Sequence, residues 1–327
     1  MRRPRPRKAL PTAAANRAKV SGSAASVARV TATRPDAVAR PVRVSSGALL
    51  AVVITVLAWA SAFVAIRAVG AHYEPGPLAL GRLLVGTLAL GVSVLVSRRW
   101  VRPNRREWLL IAVAGVAWFA AYNVALNAAE QRVDAGTTAM LVNVGPILIA
   151  LFAGLLLGEG FPRWLVIGAL VAFSGAVLVG LATAQGTSDV WGAVLCLVAA
   201  VTYAIGVLAQ KPAVRRLPAL QVTFLSCAIG TVVCLPFTPG LVGEVVVAPV
   251  AATGWLVYLG VVPTALAFST WAYALARMDA GRLGVSTYAV PPITIALGAA
   301  LLGEVPPLLA VVGGVICLVG VGLSRRR

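Results

Sequence analysis

The chain is 327 residues long, 60% apolar and 12% charged, with a mean hydropathy of +0.92. Soluble domains carry roughly a quarter of their residues as charges, so a soluble globular fold is excluded and the chain belongs in lipid. Its formal charge of +18 comes from 28 Lys and Arg against 10 Asp and Glu, spread very unevenly.

Residues 1–47 hold 11 of the basic residues and one acidic residue, Asp36, in a stretch rich in Arg, Ala, Pro, Ser and Val. With no sustained apolar period it reads as a disordered basic cytoplasmic tail. No apolar core of signal-peptide type precedes the first long apolar run, so the tail reads as retained. Such tails hold anionic lipid or nucleic acid, at roughly 1 kcal/mol per basic residue near a charged surface. A solvated extension that only enforces topology is the plainer account, and a misplaced start codon is another. Membrane lipid is therefore expected around the chain, and nucleic acid is not expected as a partner.

A helix needs about 20 apolar residues to cross about 30 Å of hydrocarbon. Ten runs meet this requirement: Leu49 to Ile66, Pro77 to Val96, Trp108 to Ala128, Ala135 to Leu157, Trp164 to Thr183, Val190 to Ala209, Leu220 to Phe237, Thr253 to Ala274, Leu283 to Leu302 and Pro307 to Leu323. Cytoplasmic flanks are enriched in Lys and Arg. With the amino terminus inside, the cytoplasmic segments carry 25 basic residues and the outer loops carry two, Arg67 and Arg132. Both termini are then cytoplasmic, in a multi-pass protein of the plasma (inner) membrane.

The stretch from Val133 to Pro162 returns without a gap 145 residues later, from Met278 to Pro307. Asp134, Ala135, Gly136, Pro146, Leu156, Leu157, Gly158, Glu159 and Pro162 reappear as Asp279, Ala280, Gly281, Pro291, Leu301, Leu302, Gly303, Glu304 and Pro307. Gly168 and Gly175 likewise become Gly313 and Gly320. The expectation is an all-α membrane protein of ten transmembrane helices, built as five-helix repeats over residues 48–183 and 184–327. Because five is odd, the second copy enters the membrane in the opposite sense, which makes the repeat inverted.

Four features stand out within this frame: the AWASAFVAIR segment from Ala58 to Arg67, the pair Gly81 and Arg82, YNVALNAAEQRVDAG from Tyr122, and the LGE ending at Glu159 and again at Glu304. With the duplication, they resemble the EamA-type transporters of the drug/metabolite transporter superfamily, over roughly Leu49 to Leu323. The resemblance implies export or uptake of small metabolites, often amino acids or their relatives, by alternating access. One departure is the seventh span, where Ser226 and Cys227 stand in place of a counterpart to Arg82.

Inverted-repeat carriers place substrate near the midplane, where helices are interrupted. Pro146 and Pro291 mark such places, since a proline inside a helix leaves the carbonyl four residues back, here of Val142 and Thr287, without its donor. A packing kink alone is the alternative. Around them Asn143 is matched by Tyr288, and Thr287 adds a hydroxyl. The third span offers Tyr122, Asn123 and Asn127, the two amides one turn apart on one face. Trp59 and Tyr203 are repeat-related, Ser61 lies near the first, and Trp271 comes from the eighth span. Substrate contact is the functional reading of these ten residues, and helix-to-helix bonding or core packing is the bland one.

No Asp or Glu lies mid-span, so a cavity lined by amides, hydroxyls and rings suits zwitterionic or neutral solutes. Glu159 and Glu304 read as gates or, more plainly, as caps of the helix that follows each. Arg82 reads as snorkelling outward or making a structural hydrogen bond, with a substrate carboxylate as the rival partner. Cys196, Cys227, Cys234 and Cys317 read as apolar fillers, and one histidine, His72, makes no metal site. No metal and no cofactor are expected. A polytopic membrane enzyme, such as a lipid-modifying transferase, is the competing class, but it requires clustered carboxylates or paired His and Glu that the sequence lacks. Oligomeric state, coupling ion and solute identity are not encoded in these motifs.

Overall fold

The computed structural model describes residues 45–132, 138, 141–183, 190–302 and 307–326. The basic tail up to residue 44, the start of the fourth predicted span and Glu304 lie outside the described residues. Among the described residues there is helix and no strand. We label the helices α1 (Ser46–Val69), α2 (Pro75–Ser97), α3 (Arg105–Glu130), α4 (Val144–Leu156), α5 (Arg163–Thr183), α6 (Val190–Ala213), α7 (Ala219–Val247) and α8 (Val250–Leu275). Next comes α9, in two parts, Ala280–Ser286 and Val290–Leu302 joined by the turn Thr287–Ala289, and then α10 (Leu308–Ser324). By length and composition α2, α3, α6, α7 and α8 are each sufficient to cross a membrane, with shorter apolar helices before, between and after them among the described residues.

Local chemistry sets the boundaries. Helix α1 starts a turn before the apolar run because the Ser45 hydroxyl accepts from the Ala48 amide at 3.3 Å. Helix α3 starts in a capping box, in which Asn104 Oδ1 accepts from the Glu107 amide at 2.9 Å and Glu107 Oε2 from the Asn104 amide at 2.8 Å. The expected end of the seventh span at Phe237 is too early. Pro236 falls in a 3₁₀ turn, Leu235–Phe237, that needs no donor from it, and the helix resumes as Thr238–Val247. The outward faces are apolar, with Leu88, Leu95, Val246 and Leu308 each at least 70% exposed, as a lipid solvent requires.

Two helices depart from α geometry at matching places. Gly115–Ala121 in α3 and Gly260–Leu266 in α8 are π-helical, 145 positions apart. Each wide turn is backed by a close approach. A β-carbon placed on Gly86 of α2 would fall 3.2 Å from the Gly260 carbonyl and 2.7 Å from Thr264; one on Gly230 of α7 would fall 3.1 Å from the Gly115 carbonyl and 2.5 Å from Phe119. The two contacts are the same contact made once by each half of the sequence.

Helices α5 and α10 interlock backbone to backbone. A β-carbon on Gly168 would lie 2.4 Å from the Ser324 nitrogen and one on Gly175 2.6 Å from the Gly313 carbonyl, so the start of α5 meets the end of α10 and the pair is antiparallel. Here 168 faces 320 while 175 faces 313, each partner being the other's repeat mate. Ala172 and its mate Cys317 meet each other, the Cys317 thiol donating to the Ala172 carbonyl at 3.3 Å.

The basic linkers gather at one end of the bundle. Arg216 forks onto both oxygens of Glu107, and Gln221 exchanges two hydrogen bonds with the Val101 backbone at 2.9 and 2.7 Å. At the opposite end, the Glu74 amide donates to Glu244 at 3.2 Å and the Tyr73 and Thr253 hydroxyls stand 2.9 Å apart.

Gly320→Leu is expected to separate α5 from α10, because its β-carbon would lie 2.3 Å from the Ala172 nitrogen and backbone cannot yield as a side chain can. Gly322→Leu, with nothing within 4 Å, serves as the control. Thermal unfolding followed by size-exclusion in detergent should show a lower Tm and lost monodisperse protein for the first variant only, and equal behaviour of the two would contradict this packing.

Candidate functional site

The centre of the bundle is aromatic. Trp59 of α1, Trp118 and Tyr122 of α3, Tyr203 of α6, and Phe268 and Trp271 of α8 form one connected group of rings. Trp118 is its hub, with centroids 4.7 Å from Phe268, 5.2 Å from Tyr203 and 5.6 Å from Trp271. The π-helical turns place these rings. Gly206 of α6 lets Trp118 approach, since a β-carbon there would fall 2.3 Å from that of Trp118. Trp59 Nε1 donates to the Pro263 carbonyl at 3.2 Å, within the irregular turn of α8. Trp118 and Trp271 are each 1% exposed, so in this conformation the rings fill the centre themselves rather than walling an open cavity.

Four of the sequence-selected residues, Trp59, Tyr122, Tyr203 and Trp271, therefore come together, and Thr287 joins them beside the Tyr203 hydroxyl. Among the described residues that hydroxyl makes no hydrogen bond of ordinary geometry, nor does Trp271 Nε1. Thr287 itself donates to the Gly284 carbonyl at 2.7 Å. Tyr288 is fully buried, and its hydroxyl donates to the backbone carbonyl of its own repeat mate Asn143 at 2.7 Å. Ser61 stands apart, hydrogen-bonded with the Tyr258 hydroxyl at 2.7 Å.

The two α3 amides are buried, but their nitrogens serve backbone. Asn123 Nδ2 donates to the Phe119 carbonyl at 2.7 Å, at the end of the π-helical turn, and Asn127 Nδ2 donates to Pro75 of α2 at 3.1 Å. Their Oδ1 atoms have no partner among the described residues.

Helix α4 begins after a turn at Asn143 with Pro146 in its first turn, and α9 is broken at Thr287–Ala289 with Pro291 just beyond. The expected free carbonyl at Thr287 is not free: the Val290 amide bonds to it across the 3₁₀ turn. A comparable substitution operates in α8, where Pro263 withholds a donor from Leu259 and the Thr264 hydroxyl supplies one at 2.8 Å.

Glu159 does cap a helix, but not the one that follows it in sequence. It sits between Gly158 and Gly160, both at φ +69°, a left-handed turn that ends α4 and swings the side chain away. Its oxygens accept from the Ala280 amide at 2.7 Å and the Gly281 amide at 3.0 Å, so the carboxylate seals the start of α9, the repeat counterpart of its own helix. Lys211 of α6 lies on the same turn from the other side, donating to the Leu275 carbonyl at 2.7 Å and to the Met278 carbonyl.

Trp118, Phe268, Gln210 and Lys211 were not singled out from the sequence. Gln210 is fully buried, and neither end of its amide has a partner among the described residues. It lies two turns from Tyr203, and that spacing puts both on one helix face. A separate crevice of about 160 Å³ opens between α1, α9 and α10, lined by Val52, Val56, Ile293 and Val321, with Ser286 and Arg325 at its polar edge. Burial holds the Arg325 guanidinium below its ordinary pKa.

The EamA-like transporter family matches the chain twice, over residues 46–181 and 190–326. A Streptantibioticus cattleyicolor protein, described as a "Probable terminal-alkyne amino-acid exporter", is 40% identical over 286 residues, covering 86% of this chain and 94% of the relative. The Bacillus subtilis transporter YdfC is 32% identical over 265 residues, covering 80% of this chain and 86% of the relative. A protein of known crystal structure aligns with a TM-score of 0.70 at 22% identity, over 86% of this chain and 96% of that one, a likeness of fold alone. The resemblance read from the sequence holds: the chain belongs to the EamA-like transporter family of the drug/metabolite transporter superfamily and is a multi-pass membrane transporter.

Proposed function

We propose that this transporter exports amino acids or related small zwitterionic metabolites across the plasma membrane by alternating access. In this reading ten spans form two inverted five-helix repeats, over residues 48–183 and 184–327, with both termini cytoplasmic. The exchanged contacts of α5 with α10, and the matched π-helical turns of α3 and α8, support it. The clustering of Lys and Arg in linkers that meet at one end supports the orientation. The observation that carries the function is the Trp271 Nε1 donor, buried and unpartnered among the described residues, in one aromatic cluster with the Tyr203 hydroxyl, which has the Thr287 side chain beside it but no hydrogen bond of ordinary geometry. Buried groups of this kind are costly unless something bonds to them, and a solute passing between the helices does so. The 40% identical relative makes a terminal-alkyne amino acid the first solute to try.

Trp271→Phe and Tyr203→Phe keep a ring and remove one polar atom each. Both should slow efflux of L-propargylglycine or another amino acid from loaded proteoliposomes, by about fivefold for a hydrogen bond worth about 1 kcal/mol. Unchanged flux in both would reject this site.

The Glu159 carboxylate acts as a latch at the end where the basic linkers meet, holding α4 to α9. Glu159→Ala should destabilise that end by about 1 kcal/mol. An Ala280→Cys probe, buried in the parent, should then react faster with maleimide than in the otherwise unaltered protein, whereas equal rates would leave Glu159 without this role.

Glu130, at the end of α3, lies in electrostatic range of Tyr122, but the middles of the expected spans carry no Asp or Glu, so transport is expected to continue in proteoliposomes with no pH gradient imposed. Strict dependence of flux on such a gradient would overturn this expectation.

A further inference from the structure

We propose that Arg82 is the carboxylate-binding residue of the pathway, holding the substrate's carboxylate group between α2 and the π-helical turn of α8. This deepens the amino-acid reading above and rests on it. The side chain does not snorkel: Arg82 is 5% exposed, inside the bundle. Its Nε donates to the Thr264 hydroxyl at 3.2 Å, and that hydroxyl spends its own proton on the Leu259 carbonyl. Thr264 is thereby oriented to offer Arg82 a lone pair, but it brings no charge. Glu130 lies in electrostatic range of Arg82, and a guanidinium presents five N–H donors in a planar fork, a geometry that also matches the planar, negatively charged carboxylate of a substrate.

Packing alone does not require an arginine here. The carbonyl of Arg82 lies against Gly260, 2.9 Å from where a β-carbon would be, and in the other half the carbonyl of Ser226 lies against Gly115 at 2.7 Å in the same relation. Ser226 fills that place with a small hydroxyl donating to the Ile111 carbonyl at 3.3 Å. Two symmetric scaffolds thus hold a serine on one side and a charge on the other, and the difference is available for recognition. The position suits the pathway as well. Tyr122, which with Glu130 lies in electrostatic range of Arg82, meets Tyr203 of the aromatic cluster at 6.0 Å between ring centroids. The Oδ1 atoms of Asn123 and Asn127, on α3 with Tyr122 and unpartnered among the described residues, are acceptors of the kind an ammonium group takes.

The test measures binding of L-propargylglycine, its methyl ester and but-3-yn-1-amine to purified protein by the ligand-induced change in Tm, alongside proteoliposome efflux. The wild type should prefer the acid over the ester and the amine by about tenfold or more, as a charge-assisted bond implies. Arg82→Gln should lose that preference while keeping its affinity for the ester, and Arg82→Lys should keep part of it. If the wild type binds the ester as well as the acid, the assignment falls whether or not the variants fold. If Arg82→Gln retains the acid preference, Arg82 alone is wrong and the amino-acid reading stands. If the wild type binds and moves neither L-propargylglycine nor any proteinogenic amino acid, that reading fails and takes this assignment with it.

Discussion

In a medium without water, a backbone group that loses its helical partner must be given another, and this constraint organises the interior of the transporter. The wide turns of α3 and α8 open the regular ladder at two places, and side chains close it again. Asn123 returns a donor to Phe119, Thr264 returns one to Leu259, and Trp59 bonds to Pro263. Polar groups are thereby drawn to the middle of the protein by the backbone's own needs. Where they are not fully consumed among the described residues, as at Trp271, the proposed solute would have something to hold.

The same logic governs the ends of α4 and α9. A helix start exposes amides that need an acceptor, and the start of α9 receives the carboxylate of Glu159 from 121 residues away. The end of α8 receives the ammonium of Lys211. One turn is therefore held by opposite charges on its two sides, each matched to the local helix end. Helix ends secured by other helices, not by their own neighbours in sequence, are coupled to the relative position of those helices.

The helices were largely legible in the sequence, because lipid imposes length and polarity so strictly that Pro75–Ser97 or Arg163–Thr183 leaves little alternative. The breaks near Pro146 and Pro291 were legible for a comparable reason. The π-helical turn of α3 was not, since no proline or glycine pattern distinguishes Gly115–Ala121 from ordinary helix, and it can be seen only beside its mate around Pro263. The partner of Glu159 was illegible because a cap is normally local, and here the repeat supplies it from the other half. Lys211 looked like one more cytoplasmic charge, and only the fold reveals that its ammonium is spent on carbonyls. Trp118, the hub of the rings, has a proline, Pro263, as its repeat mate, so the duplication does not mark it.

The seam between α5 and α10 has a historical implication. A surface on which position 168 meets 320 while 175 meets 313 is complementary to its own copy. A single ancestral segment carrying those small residues would already be complementary to a second molecule of itself lying antiparallel across a two-fold axis. Joining two such segments into one polypeptide would require no new contact at this seam, only a linker, and would leave the rest of each half free to differ.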